Sequence, residues 1–218
     1  MDNNYTIEIK DLSKVIKNTT ILNNININFE PGKIYGIIGR NGSGKSMLFK
    51  AICGLINYNS GEIKVFNDVI KDGKFPKDTG IIIENPGFLP QYSAFKNLKI
   101  LSSIKNIISD NEIKDAISLV GLNPDDKKSV KKYSLGMKQK LGIAQAIMEK
   151  PKLLILDEPM NGLDLESVKL VRNILLDLKN KSVTILLASH NSEDINELCD
   201  HVYKMDAGVL SEYNEKVN

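Results

Sequence analysis

The chain is poor in arginine, cysteine and histidine, and it has no long apolar run. Arg40 and Arg172 are the only arginines, so lysine supplies the other 27 basic side chains. Bidentate reading of bases and phosphates favours the guanidinium fork, and a formal net charge of +2 gives no strong field for a polyanion. Both features argue against a nucleic-acid reader. Cys53 and Cys199 stand far apart with no CxxC spacing, which reads as two buried free thiols in a reducing compartment. No apolar run exceeds four residues, Leu153–Leu156 being one example, so nothing here is long enough to cross a bilayer. The opening Met1-Asp2-Asn3-Asn4 has no basic region followed by an apolar stretch, and Asp2 stands where N-myristoylation needs glycine. On these grounds the chain is expected to be soluble and intracellular.

What is present points to a globular fold. The 218 residues are 42% hydrophobic and 26% charged, the balance of an ordinary globular protein whose core can serve one domain over 1–218. Short β-branched runs alternate with helical stretches, the pattern of an α/β protein with a largely parallel sheet. Strands are predicted at Tyr5–Ile9, Ile34–Ile38, Gly61–Phe66, Gly80–Ile83, Lys152–Leu156, Val183–Ala188 and His201–Met205. Residues 153–156 and 185–188 are apolar at every position, as strands buried on both faces are. Ile25, Ile27 and Phe29 alternate with asparagines and predict a half-exposed antiparallel strand. From about 92 to 150 the texture turns helical: Ala94, Leu98 and Leu101 share a face, as do Ile113, Ile117 and Val120. Ser93 and Asp110 are the predicted N-caps of this inserted sub-lobe. Lys127, Lys128, Lys131 and Lys132 read as a solvated loop and helix entry.

Three motifs carry chemistry. Gly39-Arg40-Asn41-Gly42-Ser43-Gly44-Lys45-Ser46 fits G-x-x-x-x-G-K-[ST] at every position, with a strand before it and the helical pattern Met47–Cys53 after it. Glycines there let backbone amides turn inward around phosphate oxygens, and the helix N-terminus adds positive potential. Lys45 is expected to reach the β- and γ-phosphates and Ser46 to place its hydroxyl on Mg²⁺. Leu153-Leu154-Ile155-Leu156-Asp157-Glu158-Pro159 carries an acidic pair to the C-terminal edge of an apolar strand, where open α/β sheets bind ligands. Asp157 suits Mg²⁺ as a hard oxygen ligand, and Glu158 can orient and deprotonate an attacking water.

The third motif, Ser134-Leu135-Gly136-Met137-Lys138-Gln139, precedes the apolar helix predicted at Leu141–Met148. In a chain that already has the other two, it resembles the signature of the ATP-binding-cassette (ABC) ATPases. Family usage is LSGGQ; here Tyr133, Leu135 and Met137 occupy the first, third and fifth positions, so Ser134 and Gly136 alone match. Asn161-Gly162-Leu163-Asp164 resembles the loop that touches the opposing subunit, and His190 resembles the switch histidine on the γ-phosphate. His201 begins a strand and reads as structural. The resemblance runs from Ile7 to Leu210. It implies a P-loop NTPase (RecA-like) core with a mostly parallel sheet, an N-terminal antiparallel β-subdomain and an inserted helical subdomain. It further implies a homodimer or heterodimer of cassettes facing head to tail, in which Ser134–Gly136 of one closes over ATP held by Lys45 of the other.

Two departures stand out. The family usually stacks an aromatic residue on adenine near the N-terminus, where Leu12-Ser13-Lys14-Val15-Ile16-Lys17 offers Val15 or Ile16; weak base discrimination is expected. The strand Gly80–Ile83 leads into Glu84 where the family has a glutamine that touches Mg²⁺. With Asn85-Pro86-Gly87-Phe88 after it, that replacement resembles bacitracin- and lantibiotic-type exporters and immunity transporters.

The resemblance therefore implies the ATPase subunit of a transporter whose permease subunits are separate transmembrane chains, with the cassette peripheral on the cytoplasmic face of the membrane. Export, of an antimicrobial peptide or a drug, is the expected direction. Phe88, Leu89, Tyr92 and Phe95 in the segment Phe88–Ile104 are expected to form an exposed patch toward the permease. The alternative is a soluble ABC ATPase acting on DNA or ribosomes. Chromosome and repair members carry a long coiled coil between phosphate loop and signature, whereas Ser134 follows Lys45 by 89 residues with no heptad tract; ribosome-acting members carry two cassettes. A P-loop kinase or GTPase needs neither the Ser134–Gln139 segment nor the Asp157-Glu158 pair.

Overall fold

The computed structural model describes residues 5–84, 86–214 and 217; the Met1–Asn4 stretch and Asn85, both used above, lie outside them. Strands β1 (Ile7–Ile16) and β2 (Thr19–Phe29) pair antiparallel. Then β3 (Ile34–Ile38) leads into helix α1 (Lys45–Ile52). The chain returns through β4 (Ser60–Val65) and β5 (Asp68–Val69) to the free edge of β1, giving an antiparallel sheet in the order β2-β1-β4-β5. After β6 (Thr79–Ile82) come α2 (Ala94–Ser102), α3 (Asp110–Leu119) and α4 (Leu135–Ile147), the helical insert. The remainder alternates: β7 (Leu153–Asp157), α5 (Leu165–Asn180), β8 (Thr184–Ala188), α6 (Ser192–Leu198), β9 (His201–Asp206) and β10 (Val209–Glu212). The second sheet runs β10-β9-β3-β8-β7-β6, parallel from β9 to β6, with β10 antiparallel on its edge.

The apolar runs explain the layering. Leu154 and Leu156 of β7 and Ile185 and Leu187 of β8 face one core with α2 to α6. Leu153, Ile155, Leu186 and Ala188, their neighbours in sequence, face a second core with α1 and the antiparallel sheet. A strand with period 2 and two covered faces needs apolar residues at every position.

The helical insert grips the parallel sheet closely. A β-carbon on Gly80 of β6 would lie 1.9 Å from the Ala146 carbonyl oxygen of α4, and one on Gly142 of α4 would lie 2.5 Å from Pro86. Three expectations need correction here. Ser93 caps α2, taking the Lys96 amide, but α3 is capped by Ser109 and not by Asp110. Ser109 accepts from the Glu112 amide while Glu112 accepts from the Ser109 amide, a reciprocal box that places Asp110 inside the first turn, against the positive end of the helix. Helix α4 begins at Leu135, well before Leu141, because Ser134 takes the Met137 amide at 3.2 Å and starts the helix there. Of the two free cysteines, Cys53 is buried and Cys199 only partly so; burial pushes both thiols up to about 12. His201 stacks on Tyr35 with ring centroids 5.3 Å apart, a packing role.

Candidate functional site

Parallel strands end on one edge, so the segments following β3, β6, β7 and β8 meet there. Together they line a cavity of about 570 Å³, whose walls include Asn41, Lys45, Ser46, Glu84, Asp157, Glu158 and His190.

The loop after β3 is shaped by glycine. Gly44 is the N-cap of α1 at φ 117 with no side chain capping the helix, so the first amides of α1 are left to the loop it closes. A β-carbon on Gly39, at φ 150, would lie 2.2 Å from the Met205 carbonyl oxygen. Lys45 is buried, and its ammonium donates to the carbonyls of Gly39 at 2.7 Å and Arg40 at 3.2 Å. Burial lowers its pKa, while Glu158 and Asp157 pull the other way. The Ser43 hydroxyl is buried without a hydrogen-bond partner, an orphan that a ligand in the loop would satisfy. Ser46 donates its hydroxyl to Asp157 Oδ2. Two hard oxygens from the two motifs thus touch across the end of the sheet.

Glu158 is held in a strained conformation. It sits at φ 51, in the left-handed region, a conformation that costs a residue with a β-carbon about 1–3 kcal/mol. Its amide donates to Ala188 at 2.9 Å. Its Oε2 accepts from the His190 amide at 3.3 Å, while Oε1 is buried and lacks a hydrogen bond, although His190 Nε2 lies 3.3 Å away. Burial raises the Glu158 pKa, opposed by the imidazole and amide of His190. His190 Nε2 lies 2.8 Å from Asn41 Oδ1, which ties the β8 loop to the phosphate loop.

Glu84, at φ 62 on the cavity wall, pairs with Lys50 of α1 at 2.5 Å. The carboxylate that stands where the family has a neutral glutamine therefore has its own cation. Ile16 ends β1 at 40% exposure and does not line the cavity; the aliphatic residue that does so from the antiparallel sheet is Ile21. Ser134 and Asp164 lie outside the cavity wall. Each caps a helix instead, Asp164 taking the Ser167 amide at 2.8 Å, which holds its carboxyl below the usual range. Gly136 has its backbone against the Gly162 carbonyl, which a β-carbon would approach to 2.9 Å. Leu135, Gln139 and Asn161 also line the cavity. The sequence motifs contain all three but direct them toward an opposing subunit, not toward this chain's own cavity; Gln139 shares a helix face with Leu135, four residues earlier.

Residues 22–161 match the family described as ABC transporter. The chain is similar to the uncharacterized ABC transporter ATP-binding protein YybJ of Bacillus subtilis (strain 168), with 53% identity over 212 residues, 97% of each chain. It is also similar to the bacitracin transport ATP-binding protein BcrA of Enterococcus faecalis, with 39% identity over 211 residues, 95% of this chain and 68% of that one. Among solved structures, its fold is that of the ATP-binding cassette MJ0796 in a dimeric post-hydrolysis state bound to ADP and Pi, with a TM-score of 0.87 at 20% identity, covering 97% and 99% of the two chains.

Proposed function

The chain belongs to the ABC transporter family as an ATP-hydrolysing, ATP-binding subunit, and we propose that it powers export through separate transmembrane permease subunits, with the cavity at the strand ends as its ATP site. The observation that carries the reading is the meeting of four strand-end segments on one cavity, with Ser46 touching Asp157 and His190 beside Glu158. The amides of Gly39–Ser46, including those of Asn41, Gly42, Ser43 and Gly44, cradle the phosphates, and Lys45 turns from the loop carbonyls to the β- and γ-phosphates. Glu158 orients a water and takes its proton, and His190 meets the γ-phosphate.

Magnesium fits the donors present. Ser46 and Asp157 offer adjacent oxygens, with Glu84 on the same wall. Such a cation keeps waters and substrate phosphates in its shell, so two or three protein oxygens suffice. When bound, it offsets the charge on the phosphate oxygens.

Ser134, Gly136 and Asp164 face a second cassette in this reading, in a homodimer or a heterodimer. Leu135 and Leu165, which adjoin these residues in the chain, are 58% and 80% exposed, apolar surface that a partner would cover. Toward the permease, Leu89, Tyr92, Ile100 and Ile104 are exposed, whereas Phe88 and Phe95 turn onto the core. The expected patch is thus shifted along α2. Among the described residues no helix is long and apolar enough to cross a membrane; in this reading the exposed patch attaches the chain to the cytoplasmic face. Similarity to a bacitracin transport protein supports an antimicrobial peptide or drug as the cargo. Tagged protein drawn from detergent-solubilised membranes should bring a multi-span subunit with it; recovery with nucleic acid or ribosomes instead would favour the soluble alternative.

Base selectivity follows from the aliphatic residues. An aromatic stack is worth about 0.5–1.5 kcal/mol beyond area burial, and neither Ile16 nor Ile21 supplies it. ATP and GTP affinities within about tenfold of each other are expected by equilibrium titration; a hundredfold preference for ATP would contradict this.

A further inference from the structure

The turn that carries Glu158 is held by a side chain of α4 to which the proposed function gives no role. Glu158 is left-handed at φ 51, and its carbonyl accepts from Gln139 Nε2 at 3.2 Å; the same nitrogen donates to the Pro159 carbonyl at 2.9 Å. Gln139 is 6% exposed, so these bonds exchange poorly with water. It lies on the second turn of α4, and Leu135, four residues earlier on the same face, packs on Gly162, where a β-carbon would meet the leucine at 2.6 Å. The first two turns of α4 therefore rest on residues 158–162 at both ends.

We propose that Gln139 is a positioning residue for Glu158, and that through it α4 ties this chain's acidic turn to its own Ser134–Gly136 segment. The inference rests on the reading of Glu158 as the base and of Ser134–Gly136 as the segment presented to a partner's nucleotide. Its physical basis is short. Ser134 caps α4 and Gln139 is buried in the same helix, so a rigid-body shift of the capped end moves both. The Glu158 backbone follows, because its carbonyl is bonded to the glutamine amide. Displacement at the partner's nucleotide thereby reaches the carboxylate that serves this chain's nucleotide. The two sites are linked through one side chain, with no contact between the nucleotides.

The test uses Gln139→Met, which keeps length and removes both donors, and Gln139→Glu, which keeps shape and sets a carboxylate against two carbonyls. In the assembled transporter both should lower kcat by roughly 10- to 100-fold, the penalty of a misplaced reacting group, with KM for ATP within about twofold of the parent. The second readout is ATP-driven dimerisation of the full chain in a Glu158→Gln background, followed by size-exclusion chromatography. Adding Gln139→Met should leave that dimer intact, since the positioned carboxylate is already gone. A kcat within twofold of the parent overturns the proposal. So does loss of the dimer, because Gln139 would then be supporting the helix as a whole. Should Glu158→Gln alone retain full turnover, the assignment of the base fails, which is a separate outcome read before Gln139 is touched.

Discussion

Glu158→Gln is expected to lower ATP turnover of the assembled transporter by roughly 10²- to 10⁴-fold, the contribution typical of a positioned general base, while ATP binding survives. The amide keeps the shape of the side chain and can still lie against the His190 amide that now bonds Oε2 at 3.3 Å. What it cannot do is accept a proton. In the proposed site, phosphate contacts come from the loop after β3 and from Lys45, which this change leaves in place, so bound ATP and the closed dimer should accumulate. Turnover measured by phosphate release and binding by titration separate the two effects; parallel losses in both would mean that Glu158 holds nucleotide. The native protein carries a related pH signature. Burial raises the Glu158 pKa, and a base works deprotonated. The rate should therefore fall with acidification at a pH above that of an ordinary glutamate near 4.3. A profile flat down to the ordinary value would contradict the assignment.

Arg172→Met should destabilise the fold by about 3–5 kcal/mol, the cost of stranding the other half of a buried ion pair. Arg172 of α5 donates from Nε and Nη2 to Asp194 Oδ1 at 2.8 and 2.6 Å, and reaches Glu193 and Glu197 at 3.0 and 2.6 Å. Asp194 is 1% exposed. Its other oxygen accepts from Ser189 at 3.2 Å, one neutral donor that cannot replace a guanidinium. Glu193 and Glu197 keep 63% and 52% of their side chains in solvent and simply return to it. For a chain of this size the melting temperature should drop by roughly 6–20 °C. Adding Asp194→Leu to Arg172→Met should recover much of the loss, because the stranded charge goes with it. A single variant within 2 °C of the parent would show that water or repacking satisfies Asp194.

The scarcity of arginine thus takes on a meaning that composition did not reveal. One of the two arginines is buried in the interface between α5 and α6, beside the Ser189-His190 turn. Counting argued against a nucleic-acid reader, but it could not say where Arg172 would fold, because its carboxylate partners lie more than twenty residues away in the sequence.

Much of the site is legible in the amino-acid sequence through local chemistry. Period-2 patterning, continuous apolar runs and the spacing of Gly39, Gly44, Lys45 and Ser46 mark the strands, their burial and the phosphate loop, because steric and hydrogen-bond rules act over a few residues. Helix starts are harder to read. Ser109 and Asp110 are both good cap residues, and only the reciprocal bond with Glu112 separates them.

Long-range packing settles the rest. That Lys50 neutralises Glu84, that Ile21 and not Ile16 lines the cavity, and that Gln139 holds the Glu158 turn all depend on how α1, the antiparallel sheet and α4 dock. Those approaches follow from absent side chains as much as from present ones. Gly80 lets the backbone of α4 press on β6, and Gly162 lets Leu135 lie against the turn. A glycine in sequence announces freedom; which neighbour fills the space is set by the fold around it.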